Sequence, residues 1–546
     1  MPADAVVIGA GPNGLVAANL LAERGWEVVI LEAEAEPGGA VRDAEIAPGC
    51  RYDLFSGFYP LGAASPAIQR LELERWGVQW RHAPLVIGHP FPDGRSAVLS
   101  RTPEVTCESL ESFGAGQGER WMSLFDKWQR VKEPMLASLL GAPLPPVAGP
   151  IRLARSTGFG ELVSFARFAM LPLRRMCDEE GLLDGATMLL AGNALHSDLT
   201  PDLPLSGFFG WLLSMLGQDV GFPVPEGGAG ELTAALVRRF ESFGGTLVCN
   251  ARVARIEIEG GRARAVVTEG GDRYGARRAV VADVVAPTLY RDLVGVDHLP
   301  SRVLRDLDRF QLDNSTFKID WLLDRRPPWQ DARIADVATV HLADSLSELS
   351  RTGLQLAEQV IPQRPFVVVG QSTVADPTRT PDDRHLAWAY THVPQQVRGD
   401  AGGGDLTGSW TEGECEEMAA RIEARIEAHA PGFRSTIQTR RILSPHGLAS
   451  RDSNLLGGAL NGGTAALHQQ LVFRPTPGLG RPQTPVRGLF LASASAHPGG
   501  GVHGACGANA ARAVLTSQRM RRLTAAGAGA AAVASASAVR RKGGGR

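Results

Sequence analysis

The chain has 546 residues, of which 44% are hydrophobic and 21% charged, and its formal net charge is −2. This composition is typical of a globular protein with two or more domains, and the charge argues against a broad nucleic-acid surface. The 6 cysteines form no C-x-x-C pair, which disfavours a disulfide framework or a zinc site and favours a reduced, cytoplasmic protein.

Neither a secretion signal nor a membrane-spanning helix is predicted. The N-terminus, MPADAVVIGAG, lacks the basic region and the apolar core of a signal peptide. No apolar run reaches the roughly 18 residues that a transmembrane helix needs.

Residues 4–39 form the first predicted unit, which consists of a strand, a glycine-rich turn, a helix and a second strand. An apolar run at 5–8 is followed at once by Gly9-x-Gly11-x-x-Gly14, and the second strand ends near residue 31. In this βαβ context the glycine motif indicates a dinucleotide site rather than an ordinary turn.

Each residue type in the turn has a physical reason. Gly9 permits the tight turn, Gly11 lets the backbone approach a pyrophosphate, and Gly14 lets the helix pack closely on the strand. Pro12 and Asn13 lie at the start of the helix, where free N–H groups and the positive end of the helix dipole face the phosphates.

Glu32, at the end of the second strand, is the predicted acceptor of ribose hydroxyl groups, and its charge argues against NADP. The extension EAEAEPGGAVR then adds Gly38, Gly39 and Arg42. It resembles the glutathione-reductase-type FAD proteins, which implies a second loop close to the pyrophosphate, with Arg42 neutralising it. A surface position is the alternative for Arg42.

Two long blocks, 61–222 and 290–440, are assigned to a substrate domain. Residues 204–217 are predicted to be a buried helix, with a lid that touches lipid or an oily substrate as the alternative. Residues 224–240 contain glycines but follow no buried strand, so they are read as a helix start and not as a second dinucleotide site. A disulfide reductase with its own NADPH site is thereby excluded.

A hairpin is predicted after this helix, from strands 252–259 and 264–268, followed by a short buried strand at 277–282. The arrangement resembles the second segment of the FAD domain in the same superfamily. That resemblance implies that Val253 presents its backbone to the adenine.

The second block is predicted to contain strands and one clear helix. Residues 315–324 alternate apolar and polar side chains, so Lys318 and Asp320 share one face. They are candidates for the floor of a substrate site, with a solvated face as the alternative. Residues 365–394 read as strand, turn and strand, and 415–432 as an amphipathic helix that stops at the Pro-Gly pair.

The end of the chain repeats the pattern of strand, glycine-rich loop and helix. A strand at 489–492 leads into ASAHPGGGVHGACG and then a helix, so backbone N–H groups face an anionic or electron-rich group. A metal site at His497 and His503 is disfavoured because the spacing is wrong and no carboxylate lies between them.

A wider resemblance rests on PVRGLFLASASAHPGGGVHG, HQQLVFRP and STVADPTRTP. These segments resemble the phytoene (carotenoid) desaturase-like flavoproteins, and the continuation GANAA is nearest to the branch named after the pyridine nucleotide-disulphide oxidoreductase domain 2 protein. The resemblance implies that Gly500, Gly501 and Val502 lie against the flavin ring. Ser493 stands where many related enzymes have Asp. His503 replaces a usual Pro and is a candidate general acid or base.

The predicted fold is α/β, with a glutathione-reductase-type FAD-binding Rossmann domain and a discontinuous mixed-sheet substrate domain. The FAD domain comprises 1–60, 223–289 and 441–520, and the substrate domain comprises 61–222 and 290–440. The Ala/Gly/Ser-rich end, 521–546, is predicted to be disordered, and its basic residues would also permit contact with an anionic membrane.

The resemblance implies an FAD-dependent oxidoreductase that desaturates a carbon–carbon bond of a hydrophobic substrate by hydride transfer to flavin N5. Oxygen or a quinone is the expected electron acceptor. His503 and Lys318 are the candidate catalytic residues. The alternatives are an amine or small-molecule oxidase, a redox-neutral polyene isomerase, and a non-enzymatic escort protein of the same fold.

Overall fold

Two seven-stranded β-sheets form the frame of the protein in the computed structural model, which describes residues 2–141 and 159–520. The predicted disordered tail, 521–546, lies outside the described residues. The strands, in chain order, are β1 Ala3–Ile8, β2 Val28–Leu31, β3 Asp43–Ala47, β4 Cys50–Asp53, β5 Trp80–Arg81, β6 Leu85–Pro90, β7 Ser96–Leu99, β8 Val224–Pro225, β9 Thr246–Val248, β10 Val253–Glu259, β11 Arg262–Thr268, β12 Arg273–Ala282, β13 Ser315–Leu323, β14 Val337–Leu342, β15 Val360–Ile361, β16 Val367–Gln371, β17 His385–Val393, β18 Gly399–Asp400, β19 Ile437–Leu443 and β20 Leu489–Leu491.

The helices of the described chain cover both sheets. In chain order they are α1 Pro12–Ala22, α2 Pro60–Ala64, α3 Pro66–Gln69, α4 Pro103–Glu111, α5 Gln117–Leu139, α6 Phe159–Met170, α7 Leu173–Glu180, α8 Asp184–Ala194, α9 Ser206–Asp219, α10 Ala229–Ser242, α11 Ser301–Leu307, α12 Leu346–Ala357, α13 Ser372–Ala375, α14 Glu412–Glu427, α15 Pro445–Arg451 and α16 505–520.

The first sheet has the order β10-β11-β12-β1-β2-β9, and β20 also pairs with β12. Its centre is parallel, since β1 pairs in parallel with both β12 and β2. All six residues of β1 are buried, as expected for a strand covered on both faces. The β1–α1–β2 crossover makes this a Rossmann-like dinucleotide-binding fold and confirms the predicted α/β class at that level.

The antiparallel hairpin of this sheet is confirmed by the pairing of β10 with β11. The third strand, β12, is longer than predicted because its first residues pair with β11 before the strand joins the parallel sheet beside β1. One strand therefore serves both the hairpin and the parallel core.

The second sheet has the order β19-β13-β17-β16-β14-β6-β7 and is mainly antiparallel. In β13, Phe317, Ile319 and Trp321 pack against a cluster that includes α14, and the alternate residues face the other way. Every residue of β13 is buried, because both faces of the sheet are covered. The solvated-face alternative for Lys318 and Asp320 is therefore wrong.

Two of the predicted helices are present, and one of them is shorter than predicted. The buried helix predicted at 204–217 is confirmed as α9, in which most of the side chains are buried. Helix α14 ends at Glu427, earlier than the predicted stop, because both carboxylate oxygens of Glu427 accept hydrogen bonds from the N–H groups of Gly432 and Arg434. Those bonds fold the following backbone into a turn.

Within the described residues, no helix combines the length and the apolar character needed to cross a membrane. The 6 cysteines are all free thiols. The predicted strand, turn and strand at 365–394 are confirmed as β16 and β17, joined by short helical turns.

Candidate active site

One cavity of about 590 Å³ lies where the glycine loops of the first sheet meet the face of the second sheet. This volume is in the range of small-molecule sites. The predicted site residues that line it are Gly11, Pro12, Asn13, Gly39, Lys318, Ser493, Gly500, Gly501, Val502 and His503. The predicted site residues outside its lining are Gly9, Gly14, Glu32, Gly38, Arg42 and Val253.

The start of α1 has no room for side chains at its glycines. Gly9 has a φ of +90°, which favours glycine. A Cβ at Gly14 would lie 2.2 Å from the carbonyl oxygen of Gly9, and one at Gly11 would lie 2.7 Å from Oδ2 of Asp283. The close approach predicted for this turn is therefore present in the backbone.

Asp283 is a site residue that the sequence analysis missed. It directly follows β12, and its Oδ2 accepts a hydrogen bond from the N–H of Gly14 at 2.8 Å. Burial raises the pKa of Asp283 to about 7, with the neighbouring carboxylates of Asp452 and Glu32 adding to the shift. Its position at the carboxyl end of a parallel strand, where ligands bind in such sheets, is a signal that was available in the sequence.

Glu32 and the second glycine pair lie beside the first turn. Glu32 is buried, and its Oε2 accepts a hydrogen bond from the N–H of Ala10 at 2.7 Å. The N–H of Gly38 donates to the carbonyl oxygen of Ala10, and a Cβ at Gly39 would lie 3.2 Å from Cα of Gly11. The loop that follows Glu32 thus runs directly against the first glycine loop.

Arg42 holds two neighbouring segments together through their backbone. Its Nε donates to the carbonyl oxygen of Gly39 at 2.9 Å and its Nη2 to that of Arg451 at 2.6 Å. Val253 opens β10, two residues after Ala251, whose N–H donates to the backbone oxygen of Glu32. Both residues therefore border the strand end where the predicted ribose acceptor lies.

The starts of α1 and α16 are pressed together at the cavity. A Cβ at Gly507 would lie only 1.9 Å from the carbonyl oxygen of Asn13, so this contact requires glycine. The N–H of Gly507 donates to Oδ1 of Asn13 at 3.4 Å. Two helix N-termini, each with a positive dipole end, therefore converge on one space.

His503 has a structural hydrogen bond at the start of α16. Its Nδ1 accepts from the N–H of Ala505 at 3.0 Å, and its carbonyl oxygen accepts from the hydroxyl of Ser65 at 2.6 Å. Burial lowers the pKa of His503 to about 4, with His497 adding to the shift. The ring is therefore neutral, and its predicted acid–base role stays a prediction.

Arg474, within the HQQLVFRP segment, is a second residue whose importance was missed. Its side chain is buried and donates hydrogen bonds to the carbonyl oxygens of Asn461, Thr464 and Ala494. A Cβ at Gly499 would lie 3.2 Å from its Cζ. The guanidinium thus stabilises the C-terminal glycine loop through hydrogen bonds and places a positive charge beside it.

Lys318 lies on the cavity side of β13. Its ammonium group pairs with Oδ1 of Asp320 and donates to the backbone oxygen of Asp53 at 3.0 Å. The pair is almost fully buried, with side-chain exposures of 5% and 1%. Burial raises the pKa of Asp320 to about 6, while the charge of Lys318 and its hydrogen bond oppose that rise.

The floor of the cavity contains a polar cluster that the sequence analysis also missed. Tyr390 and His196 line the cavity, and the hydroxyl of Tyr390 is 3.0 Å from Nδ1 of His196. Nε2 of His196 is 2.9 Å from Nε2 of His341. The alternation of Trp388 and Tyr390 along β17 was the available signal.

The opposite wall is apolar. Helices α6 and α9 and the segment after β4 contribute aromatic and aliphatic side chains, namely Phe55, Phe58, Leu61, Phe165, Ala169, Phe208, Phe209, Leu212 and Leu213. Such a wall binds hydrocarbon surface and excludes water.

Comparison with known proteins agrees with this geometry. Residues 7–71 match the family model described as NAD(P)-binding Rossmann-like domain. The chain is 28% identical to pyridine nucleotide-disulfide oxidoreductase domain-containing protein 2 of Rattus norvegicus, over 94% of this chain and 93% of that protein. It is 29% identical to phytoene desaturase (lycopene-forming) of a Paracoccus species, over 55% of this chain and 56% of that protein.

The fold is shared with solved oxidoreductases of low sequence identity. Cyclohexylamine oxidase from Brevibacterium oxydans superposes with a TM-score of 0.57 at 15% identity, over 95% of this chain and 100% of that chain. The predicted resemblance to the desaturase-like oxidoreductases and to the pyridine nucleotide-disulfide oxidoreductase domain 2 branch is confirmed.

Proposed function

The chain is an oxidoreductase homologous to pyridine nucleotide-disulfide oxidoreductase domain-containing protein 2 and to phytoene desaturases, and from this we propose that it uses FAD to dehydrogenate a hydrophobic substrate. The proposed reaction removes a hydride from one carbon and a proton from its neighbour, which leaves a C=C bond. The observation that carries this proposal is the convergence of two glycine loops and an apolar wall on one cavity.

The residues around the cavity fit an FAD molecule. The glycine turns bring backbone segments so close together that a Cβ would collide, and two helix N-termini favour an anionic pyrophosphate. We propose that FAD is held by Gly9, Gly11, Pro12, Asn13, Gly14, Glu32, Gly38, Gly39, Arg42, Val253, Ser493, Gly500, Gly501 and Val502.

FAD, when bound, supplies a hydride acceptor. The task of the chain is then to orient the substrate and exclude water, for which the wall around Phe208, Phe209 and Leu212 is suited. The start of α16 and the buried Arg474 contribute positive potential that favours negative charge in this part of the cavity. His503 remains a proposed candidate for acid–base chemistry, and Lys318 a proposed catalytic residue that acts as a hydrogen-bond donor.

We further propose the two-domain division at 1–60, 223–289 and 441–520 against 61–222 and 290–440. A cytoplasmic location, with peripheral membrane contact as an addition, belongs to the same proposal. Oxygen or a quinone is the proposed electron acceptor, since only one dinucleotide motif was found in the sequence.

Oxidation of an amine is the second candidate function. Cyclohexylamine oxidase shares this fold, and one fold hosts several reactions, so amine oxidation is kept as the alternative that the experiment must separate. The polyene isomerase and the non-enzymatic escort protein are further alternatives, which the following experiment separates.

The test is anaerobic mixing of the purified protein with polyenes, terpenoid lipids and amines while the flavin absorbance is recorded. The proposal predicts a yellow protein whose colour is bleached by an apolar compound, with a new C=C bond in the product. Colourless protein that takes up no added FAD would refute the enzyme proposal. Bleaching by amines alone would establish the second candidate, and rearranged substrate without net bleaching would establish the isomerase.

A further inference from the structure

We propose that the floor of the cavity recognises a neutral oxygen, a hydroxyl or a carbonyl, on an otherwise apolar substrate, and that Tyr390 makes this hydrogen bond. The inference deepens the proposed function, because it assumes that the cavity is the substrate site. It distinguishes this chain from an enzyme built for a pure hydrocarbon.

A row of residues in register crosses four strands at this floor, and two of them, Lys318 and Tyr390, line the cavity. Lys318 of β13 is opposite Tyr390 of β17, which is opposite Val368 of β16, which in turn is opposite His341 of β14. Residues in register on adjacent strands point to the same face of a sheet. His196, from the turn after α8, lies over this row and completes the cluster.

Within this cluster, the hydroxyl of Tyr390 can form one more hydrogen bond. Both ring nitrogens of His196 are engaged, one by Tyr390 and one by His341. A tyrosine hydroxyl has one donor and two acceptor sites, so Tyr390 can still bond a ligand. When the hydroxyl of Tyr390 donates to His196, the oxygen of Tyr390 can accept a hydrogen bond from a substrate hydroxyl. When His196 donates instead, the hydroxyl of Tyr390 can donate to a substrate carbonyl.

Three further polar atoms on the same floor have no hydrogen-bond partner among the described residues. They are the hydroxyls of Thr316 and Thr339 and the indole N–H of Trp388, and all three side chains line the cavity. Their residues are 1%, 1% and 7% exposed. Burying unpaired polar groups is costly, so these atoms show that the floor is a polar surface, unlike the apolar wall formed by α6 and α9.

The cluster is electrically neutral, which favours an uncharged partner. Burial lowers the pKa of His196 to about 4 and that of His341 well below its ordinary value, and it raises the pKa of Tyr390 well above its ordinary value. The nearby ammonium of Lys318 is already paired with Asp320. A carboxylate or ammonium ligand would therefore lose hydration at this floor without gaining a free counter-ion.

The test uses FAD-loaded protein and two probes of matched shape, 3-phenyl-1-propanol and n-butylbenzene, which differ by a hydroxyl in place of a methyl group. Their dissociation constants are measured from the change in flavin absorbance. Tyr390→Phe is expected to weaken binding of the alcohol about tenfold and to change binding of n-butylbenzene by less than about twofold. Tyr290→Phe, at a buried tyrosine outside the cavity lining, should change neither.

An equal effect of Tyr390→Phe on both probes, or no effect on either, would overturn the inference. So would tighter binding of 3-phenylpropylammonium than of the alcohol by the unaltered protein. Should Tyr390→Phe fail to fold, Tyr390→Met removes the same hydroxyl and provides the same comparison. Colourless protein would contradict the proposed function, whereas yellow protein without discrimination would contradict only this inference.

Discussion

The two sheets contribute to the cavity in different ways. The first presents backbone, through glycines at positions 11 and 39 whose neighbours leave no space for a side chain. The second presents side chains, such as Lys318 and Tyr390, from paired strands whose two faces are covered by the rest of the protein. In the backbone half, formed by the first sheet, the proposed cofactor site depends on glycines that lack a side chain. In the substrate half, formed by the second sheet, the proposed substrate site depends on which side chains the strands present.

The largest effect on FAD binding is expected from adding a side chain to the backbone half. Gly14→Val places a Cβ against the carbonyl oxygen of Gly9 and should abolish FAD retention and reduce the free energy of unfolding by about 1–3 kcal/mol. FAD content and denaturant unfolding measure both. Gly413→Ala, where a Cβ meets nothing within 4 Å, is the control and should leave both unchanged. Full FAD content in Gly14→Val would contradict the claim that FAD binding requires glycine at this turn.

A charge change in the substrate half should cost stability but spare the cofactor. Lys318→Met leaves the buried carboxylate of Asp320 unpaired, with an expected loss of about 3–5 kcal/mol in the free energy of unfolding. The double variant Lys318→Met/Asp320→Leu removes both charges and should recover most of that loss. If the double variant is no more stable than the single one, the ion pair is not the cause.

Asp283, beside the first glycine loop, gives a pH dependence. Its pKa is about 7 in the folded protein against an ordinary 3.8, so the folded state binds more protons between these values. Its contribution to stability is therefore greatest at low pH and falls as pH rises from about 4 to about 7. Asp283→Asn should remove this contribution, so the stability of the variant relative to the unaltered protein should rise across that range. Parallel pH curves for the two proteins would exclude the assignment.

The smallest effect is expected at His503. Because its Nδ1 accepts from the N–H of Ala505, His503→Ala should cost about 1 kcal/mol, as does loss of a helix cap. His503→Asn keeps an acceptor and should recover most of the loss. Thermal unfolding of the two variants gives the comparison, and equal stabilities would show that the cap contributes nothing.

The backbone half was largely predictable from the sequence. Glycine spacing, a buried strand and a following helix are local signals, and they correctly placed β1, α1, β2 and the β10–β11 hairpin. The predicted lengths of two elements were wrong. Strand β12 is longer than predicted because it also pairs with β11, and α14 is shorter because the side chain of Glu427 bonds the backbone that follows it.

The substrate half was less predictable because its contacts are not local. The alternation in β13 gave the correct strand, but its polar face was compatible with solvent or with an interior cavity. Tyr390, His196 and His341 are brought together only by the register of β14, β16 and β17 and by a turn after α8. No spacing in the sequence encodes that register.

The central claim is that one FAD molecule is held by both glycine loops. Titration of FAD into colourless refolded or stripped protein, followed by the quenching of flavin fluorescence, tests it most directly. We expect saturable binding of one FAD per chain that is lost in Gly14→Val and retained in Gly413→Ala. Absence of saturable binding to the unaltered protein, or equal binding to Gly14→Val, would contradict it.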